Sequence, residues 1–194
     1  MSKPLVIASF VIPLAASAAE PPSTYAEVAA VVALAEAGET AVDEALELVS
    51  AAPDAPLAGA ALGRLRVLKS HEMAFTASRF LEMRKGFAAL NSYVQRHQED
   101  PLPHVWRGAS AFETGFVLWS AASAREDLRL ACDLYRGDSS LPDQTPRCKL
   151  ILGLVAKNEG DLDEALRLWA EAFAADPTGP YGKEAAAFIE LFTG

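Results

Sequence analysis

The sequence predicts an all-α protein, and three observations lead to this fold class. Hydrophobic residues make up 51% of the 194-residue chain, and many of them are alanine, which favours helix over strand. Helix start and stop signals recur along the chain at short intervals. No segment has the convincing alternation of apolar and polar residues that a half-buried strand requires. The chain is therefore expected to fold as helices joined by short connections.

Four helices are expected in the first half of the chain. Capping pairs or prolines mark three of their starts, and glycine or proline marks two of their ends. The predicted starts are Thr24 with Glu27, Thr40 with Asp43, and Pro56; the predicted ends are Gly38 and Pro53. The fourth helix is long, over residues 74–98, and Gly86 is a weak point inside it.

Five more helices are expected in the second half. The fifth runs over residues 103–121 with Pro103 in its first turn, which would place Trp106 and Trp119 on one helix. Capping pairs or prolines begin the others. These starts are Ser123 with Glu126, Thr145 with Pro146, Asp161 with Glu164, and Pro180, and the last helix ends near Phe192.

Residues 1–19 have the features of a secretory signal peptide. Lys3 supplies a short positive end, residues 4–14 are apolar, and small residues precede Ala19. The apolar run is shorter than the roughly 20 residues that a membrane-spanning helix needs. We therefore expect cleavage near Ala18 or Ala19, a periplasmic or secreted product, a single domain over residues 20–194, and no stable membrane span.

Charge is unevenly distributed along this acidic chain, whose formal net charge is −9. Residues 20–63 contain eight acidic and no basic side chains, whereas residues 64–107 contain eight basic and four acidic ones. The basic region is either an anion-binding surface or a helix face that pairs with the acidic region before it. Nucleic acid is not an expected partner, because the field of the whole chain repels phosphate.

The two cysteines flank a predicted connection between helices. Cys132 lies near the end of one helix and Cys148 near the start of the next. In an antiparallel helix pair, such positions come within disulfide range, and an exported chain meets an oxidising compartment. The sequence leaves two alternatives, a disulfide or two buried thiols.

The segment from Leu152 to Pro177 carries an ordered spacing of small and large residues. Its key positions are Gly153, Ala165, Trp169, Ala172 and Pro177. Here the chain resembles the tetratricopeptide repeat family, in which two small residues allow two helices to cross closely and a large one fills the space between them. Through this motif the chain is also similar to repeat-containing bacterial envelope proteins.

Earlier segments carry weaker versions of the same pattern. The matching positions are Ala45, Val49 and Ala52 in one segment, Ala89, Tyr93 and Pro101 in another, and Gly108 in a third. The resemblance implies a right-handed solenoid of about four antiparallel hairpins, closed by a C-terminal capping helix. It also implies that the first helices of the hairpins line a concave groove for a peptide or protein partner. The tentative groove residues are Arg147, Lys157, Asn158, Phe112, Glu113 and Arg107.

An enzyme is the competing class of function, and the sequence does not favour it. His71 and Glu72 begin a zinc-protease-like motif, but Phe75 stands where the second histidine is needed. The histidines His71, His97 and His104 have no metal-ligand spacing, so surface or partly buried structural roles are expected. No metal, cofactor or catalytic residue is predicted.

The function expected from these features is a non-enzymatic adaptor or scaffold of the bacterial cell envelope. The alternative is a periplasmic carrier of a small ligand or anion, in which the basic helices line a pocket. The sequence leaves the identity of the partner and the oligomeric state open, including a homo-oligomer.

Overall fold

A computed structural model describes residues 20–74, 77–137 and 144–194. The predicted signal peptide, residues 1–19, lies outside these ranges. Within them every regular element is an α-helix, so the predicted all-α class is confirmed. The helices are α1 (Tyr25–Glu36), α2 (Val42–Ser50), α3 (Ala58–Glu72), α4 (Ala77–Arg96), α5 (Pro101–Glu113), α6 (Ala121–Gly137), α7 (Thr145–Asn158), α8 (Leu162–Ala175) and α9 (Pro180–Thr193).

The helices fall into two compact units. Unit 1, Met1–Arg96, contains α1 to α4, and unit 2, His97–Gly194, contains α5 to α9. The expectation of one domain over residues 20–194 stays a prediction.

In unit 1, α3 packs against α1, α2 and α4. It crosses α4 where two glycines meet, because a Cβ on Gly63 would lie 2.8 Å from the carbonyl oxygen of Gly86. Leu90 lies one turn further along α4 and is fully buried. Gly86 therefore lies at a close contact between α3 and α4, and α4 continues through it without a break. Ala89 and Tyr93, two positions of the predicted repeat pattern, are partly buried.

Local capping signals located two helix starts correctly. At α1, the amide of Glu27 donates to Thr24 Oγ1 at 3.2 Å, and the amide of Thr24 donates to Glu27 Oε2 at 3.0 Å. At α8, Asp161 accepts a hydrogen bond from the amide of Glu164 at 3.1 Å. These contacts are made within one turn, so the sequence alone specifies them.

The predicted start of α2 is wrong. The helix begins after Ala41, whose side chain makes no capping hydrogen bond. Thr40 lies one residue too early to cap it. Asp43 and Glu44 lie in the first turn, where negative charge interacts favourably with the helix dipole.

The end of α5 also differs from the prediction. The helix ends at Glu113 and not near residue 121, because Gly115 and Phe116 both have positive φ, of 66° and 62°. The amide of Phe116 donates to the carbonyl of Ala111 at 2.8 Å. This is the left-handed termination common at helix C-termini.

The early end of α5 changes the positions of two tryptophans and of α6. Trp119 lies in the connection between α5 and α6, so the prediction that it shares a helix with Trp106 is wrong. The helix α6 begins at residue 121, and Ser120 Oγ accepts from the amide of Ser123 at 3.1 Å. The predicted cap of Ser123 with Glu126 is therefore wrong.

Unit 2 packs its helices in chain order, and α7 also contacts α5 and α9. Trp169 of α8 is fully buried, with its ring 5.0 Å from Phe188 and 5.7 Å from Phe192 of α9. Its Nε1 donates to the carbonyl of Leu150 in α7 at 3.2 Å. A Cβ on Gly153 would overlap the Trp169 indole. The Trp169 indole can therefore occupy this position because Gly153 has no side chain.

Candidate functional site

Four of the six predicted groove residues, Phe112, Glu113, Lys157 and Asn158, lie near the C-terminal ends of α5 and α7, two helices that contact each other. Lys157 and Asn158 are exposed, and Phe112 and Glu113 are partly buried. The Lys157 ammonium lies 5.4 Å from the centre of the Phe192 ring, within cation–π distance. We call Phe112, Glu113, Lys157 and Asn158 the first-helix surface.

The two predicted arginines are placed differently. Arg147 is 4% exposed, and its guanidinium lies 6.0 Å from the ring centre of Tyr181. Arg107 is 8% exposed. Both side chains therefore offer little surface within the described residues, and a charge reversal at Arg147 would bury an acidic group.

Arg107 belongs to a buried polar cluster centred on Asp127 of α6. Its Nε donates to Asp127 Oδ2 at 2.8 Å, and a second guanidinium nitrogen pairs with Oδ1. Trp119 Nε1 donates to Oδ2 at 3.0 Å, and His104 Nδ1 lies 3.0 Å from Oδ1. The Arg107 guanidinium also lies 4.4 Å from the ring centre of Trp119. We call His104, Arg107, Trp119 and Asp127 the Asp127 cluster.

The electrostatics of this cluster keep its carboxylate charged. Burial alone would raise the pKa of Asp127, but hydrogen bonds from His104 and Arg107 outweigh burial and hold that pKa below its ordinary value. A buried carboxylate with this many donors is fully satisfied. The cluster joins α5, α6 and the connection between them.

Sequence reasoning missed Asp127, although a signal was present. Asp127 stands within the apolar stripe of α6, between Ala124 and the pair Leu128 and Ala131. All three of these apolar residues have no exposed surface. A charged residue at such a position needs a buried partner of opposite charge, and Arg107 is that partner.

Cys132 and Cys148 are joined by a disulfide between α6 and α7. Their Cα atoms are 5.8 Å apart, and both side chains are buried. Of the two alternatives that the sequence leaves open, the structure contains the bonded one.

Reducing this disulfide is expected to lower the free energy of unfolding by about 3 kcal/mol, the chain-entropy value for a closed loop of this size. Denaturant titrations of the oxidised protein and of a Cys132→Ala/Cys148→Ala variant measure the effect. The reduced, unsubstituted protein is the control, because it loses the bond and keeps both side chains. Equal unfolding midpoints for the oxidised and reduced forms would contradict the prediction.

The basic residues of α3 and α4 are largely paired with acidic side chains. Arg64 Nε lies 2.8 Å from Glu36 in a buried pair, and Lys69 Nζ lies 2.6 Å from Asp43. Both acidic partners come from the acidic first region. Arg66 and Lys85 both pair with Glu82 of α4. The Arg64 and Lys69 pairs are of the kind that the second alternative expects, whereas Glu82 lies within the basic region itself. All four pairs leave less positive charge for an anion pocket.

One carboxyl group in unit 2 is placed to titrate near neutral pH. Burial raises the pKa of Glu184 on α9 to about 7. Because the folded state holds this proton more tightly than the unfolded chain, the carboxyl group destabilises the fold as pH rises from about 4.3 to 7.

In the wild type, this carboxyl group is expected to lower the free energy of unfolding by about 1 kcal/mol between about pH 5 and pH 8, a value that allows for its partial exposure. Glu184→Gln should abolish this decrease. Urea titrations of both proteins at these two pH values test this. Glu190→Gln, at an exposed position on the same helix, is the matched control. An identical pH dependence in the wild type and Glu184→Gln would contradict the prediction.

Among the described residues, no group of three or more histidine, cysteine or acidic side chains is placed to bind a metal ion. None of the helices in the same ranges has the length and apolar character needed to cross a bilayer. No family model, curated protein or solved structure matches the chain.

Proposed function

We propose that the chain is a tetratricopeptide-like scaffold of the bacterial envelope, which binds a protein or peptide partner through the first-helix surface. The observation that carries this proposal is that two consecutive hairpins of unit 2 bury the same pattern of residues. In α7 and α8 the pattern is Gly153 with Ala165, Trp169 and Ala172, and all four are buried.

The hairpin of α5 and α6 repeats this arrangement. A Cβ on Gly108 would lie 2.6 Å from Leu128 Cγ, as one on Gly153 would meet Trp169. Ala124 and Ala131 flank Leu128 at the spacings that separate the two alanines from Trp169 in α8, and neither has exposed surface. The connection between α5 and α6 is longer than the one between α7 and α8, so the spacing from Gly108 to Ala124 differs from that of Gly153 to Ala165 in the sequence. The recurrence supports a solenoid of antiparallel pairs.

The order of contacts supports the same interpretation. Each helix of unit 2 packs against the next, and the first helices α5, α7 and α9 also contact one another in succession. First helices that contact in this way form one continuous face. The first-helix surface offers a cation, a carboxylate, an amide and an aromatic ring, a combination that suits the backbone and charged side chains of an extended peptide.

The proposal is tested by charge reversal on this surface. A Glu113→Lys/Lys157→Glu variant is expected to fold normally and to lose a partner that co-purifies with the wild type from the envelope fraction. Arg136→Glu is the matched control, because Arg136 lies on the second helix α6 with its side chain 66% exposed. Arg147 is left unchanged because it is buried. If the folded variant retains the partner, the first-helix surface is not the main contact.

The envelope location rests on the predicted signal peptide and is tested separately. Cell fractionation followed by N-terminal sequencing is expected to find a chain that begins at Ala19 or Glu20. Full-length protein recovered only from the cytoplasm would contradict the location without affecting the first-helix surface.

A further inference from the structure

His104 of α5 is held by two hydrogen-bond acceptors on opposite sides of its ring. Nδ1 lies 3.0 Å from Asp127 Oδ1, and Nε2 lies 3.1 Å from the backbone carbonyl oxygen of Gln98. The histidine is 3% exposed. Water therefore has little access to replace either partner.

The two acceptors determine which protonation state of the ring can satisfy both contacts. A backbone carbonyl has no hydrogen to donate, and neither has an ionised carboxylate. Each ring nitrogen must therefore carry a proton for both contacts to be hydrogen bonds. Both contacts are satisfied together only by the charged imidazolium form of His104.

The two acceptors belong to different parts of unit 2. Asp127 is on α6, whereas Gln98 lies in the connection of residues 97–100 that follows the boundary between the units at Arg96 and leads into α5. The charged ring therefore joins this connection to both α5 and α6.

The remaining groups around the ring determine which hydrogen bond depends on the proton. Arg107 of α5 and Trp119 of the following connection donate to Asp127 as well. A neutral ring would keep its proton on Nδ1, because the ionised Asp127 carboxylate is a stronger hydrogen-bond acceptor than the Gln98 carbonyl. Deprotonation removes the Nε2 hydrogen, so the hydrogen bond that breaks is the one to the Gln98 carbonyl.

We infer that His104 is a pH-sensitive pin, which holds the connection of residues 97–100 against α5 and α6 when protonated and loosens it when the proton is lost. The pin is complete on the acidic side and weakens as pH rises.

Amide hydrogen exchange and nitrogen NMR of the full chain test this inference. The amide of Asp100 donates to the carbonyl of His97, and the amide of Leu102 donates to the Asp100 side chain, so both amides report on the connection. Their protection factors are measured from about pH 5.5 to pH 8.5 together with the nitrogen NMR of His104, and are expected to fall about tenfold where the ring loses a proton, the effect of losing one hydrogen bond from a charged donor. Both ring nitrogens of His104 are expected to be protonated at the lower pH.

Two variants separate the pin from general effects of pH. His104→Asn is expected to abolish the pH dependence of these protection factors. His97→Asn, at an exposed histidine of the same connection, is expected to behave like the wild type. Should His104→Asn fail to fold, the wild-type titration decides alone. A neutral His104 ring at the lower pH, or protection that does not change with pH, would overturn the inference.

Discussion

Replacing Asp127 by alanine is expected to destabilise unit 2 by about 3–5 kcal/mol, the cost of removing one partner from a buried ion pair. The substitution leaves the Arg107 guanidinium and the His104 ring buried without their carboxylate. It also removes the acceptor for Trp119 Nε1. Thermal and denaturant unfolding measure the loss.

Asp133→Ala is the matched control for this prediction. Asp133 lies on the same helix, its side chain is 68% exposed, and it pairs with Arg136 at 3.3 Å. An exposed pair of this kind contributes little, so a change within about 0.5 kcal/mol is expected. Similar losses for both variants would mean that α6 tolerates no substitution and that the Asp127 cluster has no special role.

The stabilisation by Asp127 should also depend on pH. Because its pKa is lower in the folded state, its contribution is present above the ordinary carboxyl range near pH 3.9 and is lost as pH falls through the folded-state pKa. The difference in stability between the wild type and Asp127→Ala should therefore shrink in acid.

Trp169→Ala is the second substitution with a large expected effect, a loss of about 3–5 kcal/mol for a buried aromatic residue. The indole contacts both Phe188 and Phe192 and donates to Leu150, so its removal opens a cavity among α7, α8 and α9. Denaturant unfolding provides the measurement. A loss below about 1 kcal/mol would show that the site collapses around the cavity and that Trp169 is not central to unit 2.

A double-mutant cycle tests whether Trp169 packs as it does because Gly153 has no side chain. Gly153→Ala alone should destabilise, because the new Cβ overlaps the Trp169 indole. In the Trp169→Ala background the overlap is gone, so the same substitution should cost much less. Equal costs in the two backgrounds would show that Gly153 acts independently of the tryptophan.

The sequence predicts contacts that form within one turn better than contacts that depend on packing. The Thr24 and Asp161 caps are predicted correctly because their partners lie three residues away. The end of α5 is predicted too late because the helical pattern gives no weight to Gly115, which permits the left-handed turn. The close approach of Gly63 to Gly86 is not predicted, because it depends on how α3 packs against α4.

The Asp127 cluster shows the same limit at the candidate site. Arg107 and His104 reach Asp127 across 20 and 23 residues of chain. The sequence offers Arg107 only as a groove residue, and the packing of α5 against α6 is what pairs it with Asp127. The burial of Arg147 likewise depends on tertiary structure, since its position near the start of α7 is compatible with exposure.

The position of the disulfide has a consequence for how unit 2 opens. The bond joins α6 to α7, which in the proposed repeat arrangement are the second helix of one hairpin and the first helix of the next. In a linear stack of repeats, cooperativity depends on the coupling between neighbours, and weakly coupled hairpins fray one at a time. A covalent link at this boundary keeps α7 tethered to α6 when neighbouring contacts open. Partial unfolding of unit 2 should therefore begin at α9, which has neither the disulfide nor the buried Asp127 cluster that holds α5.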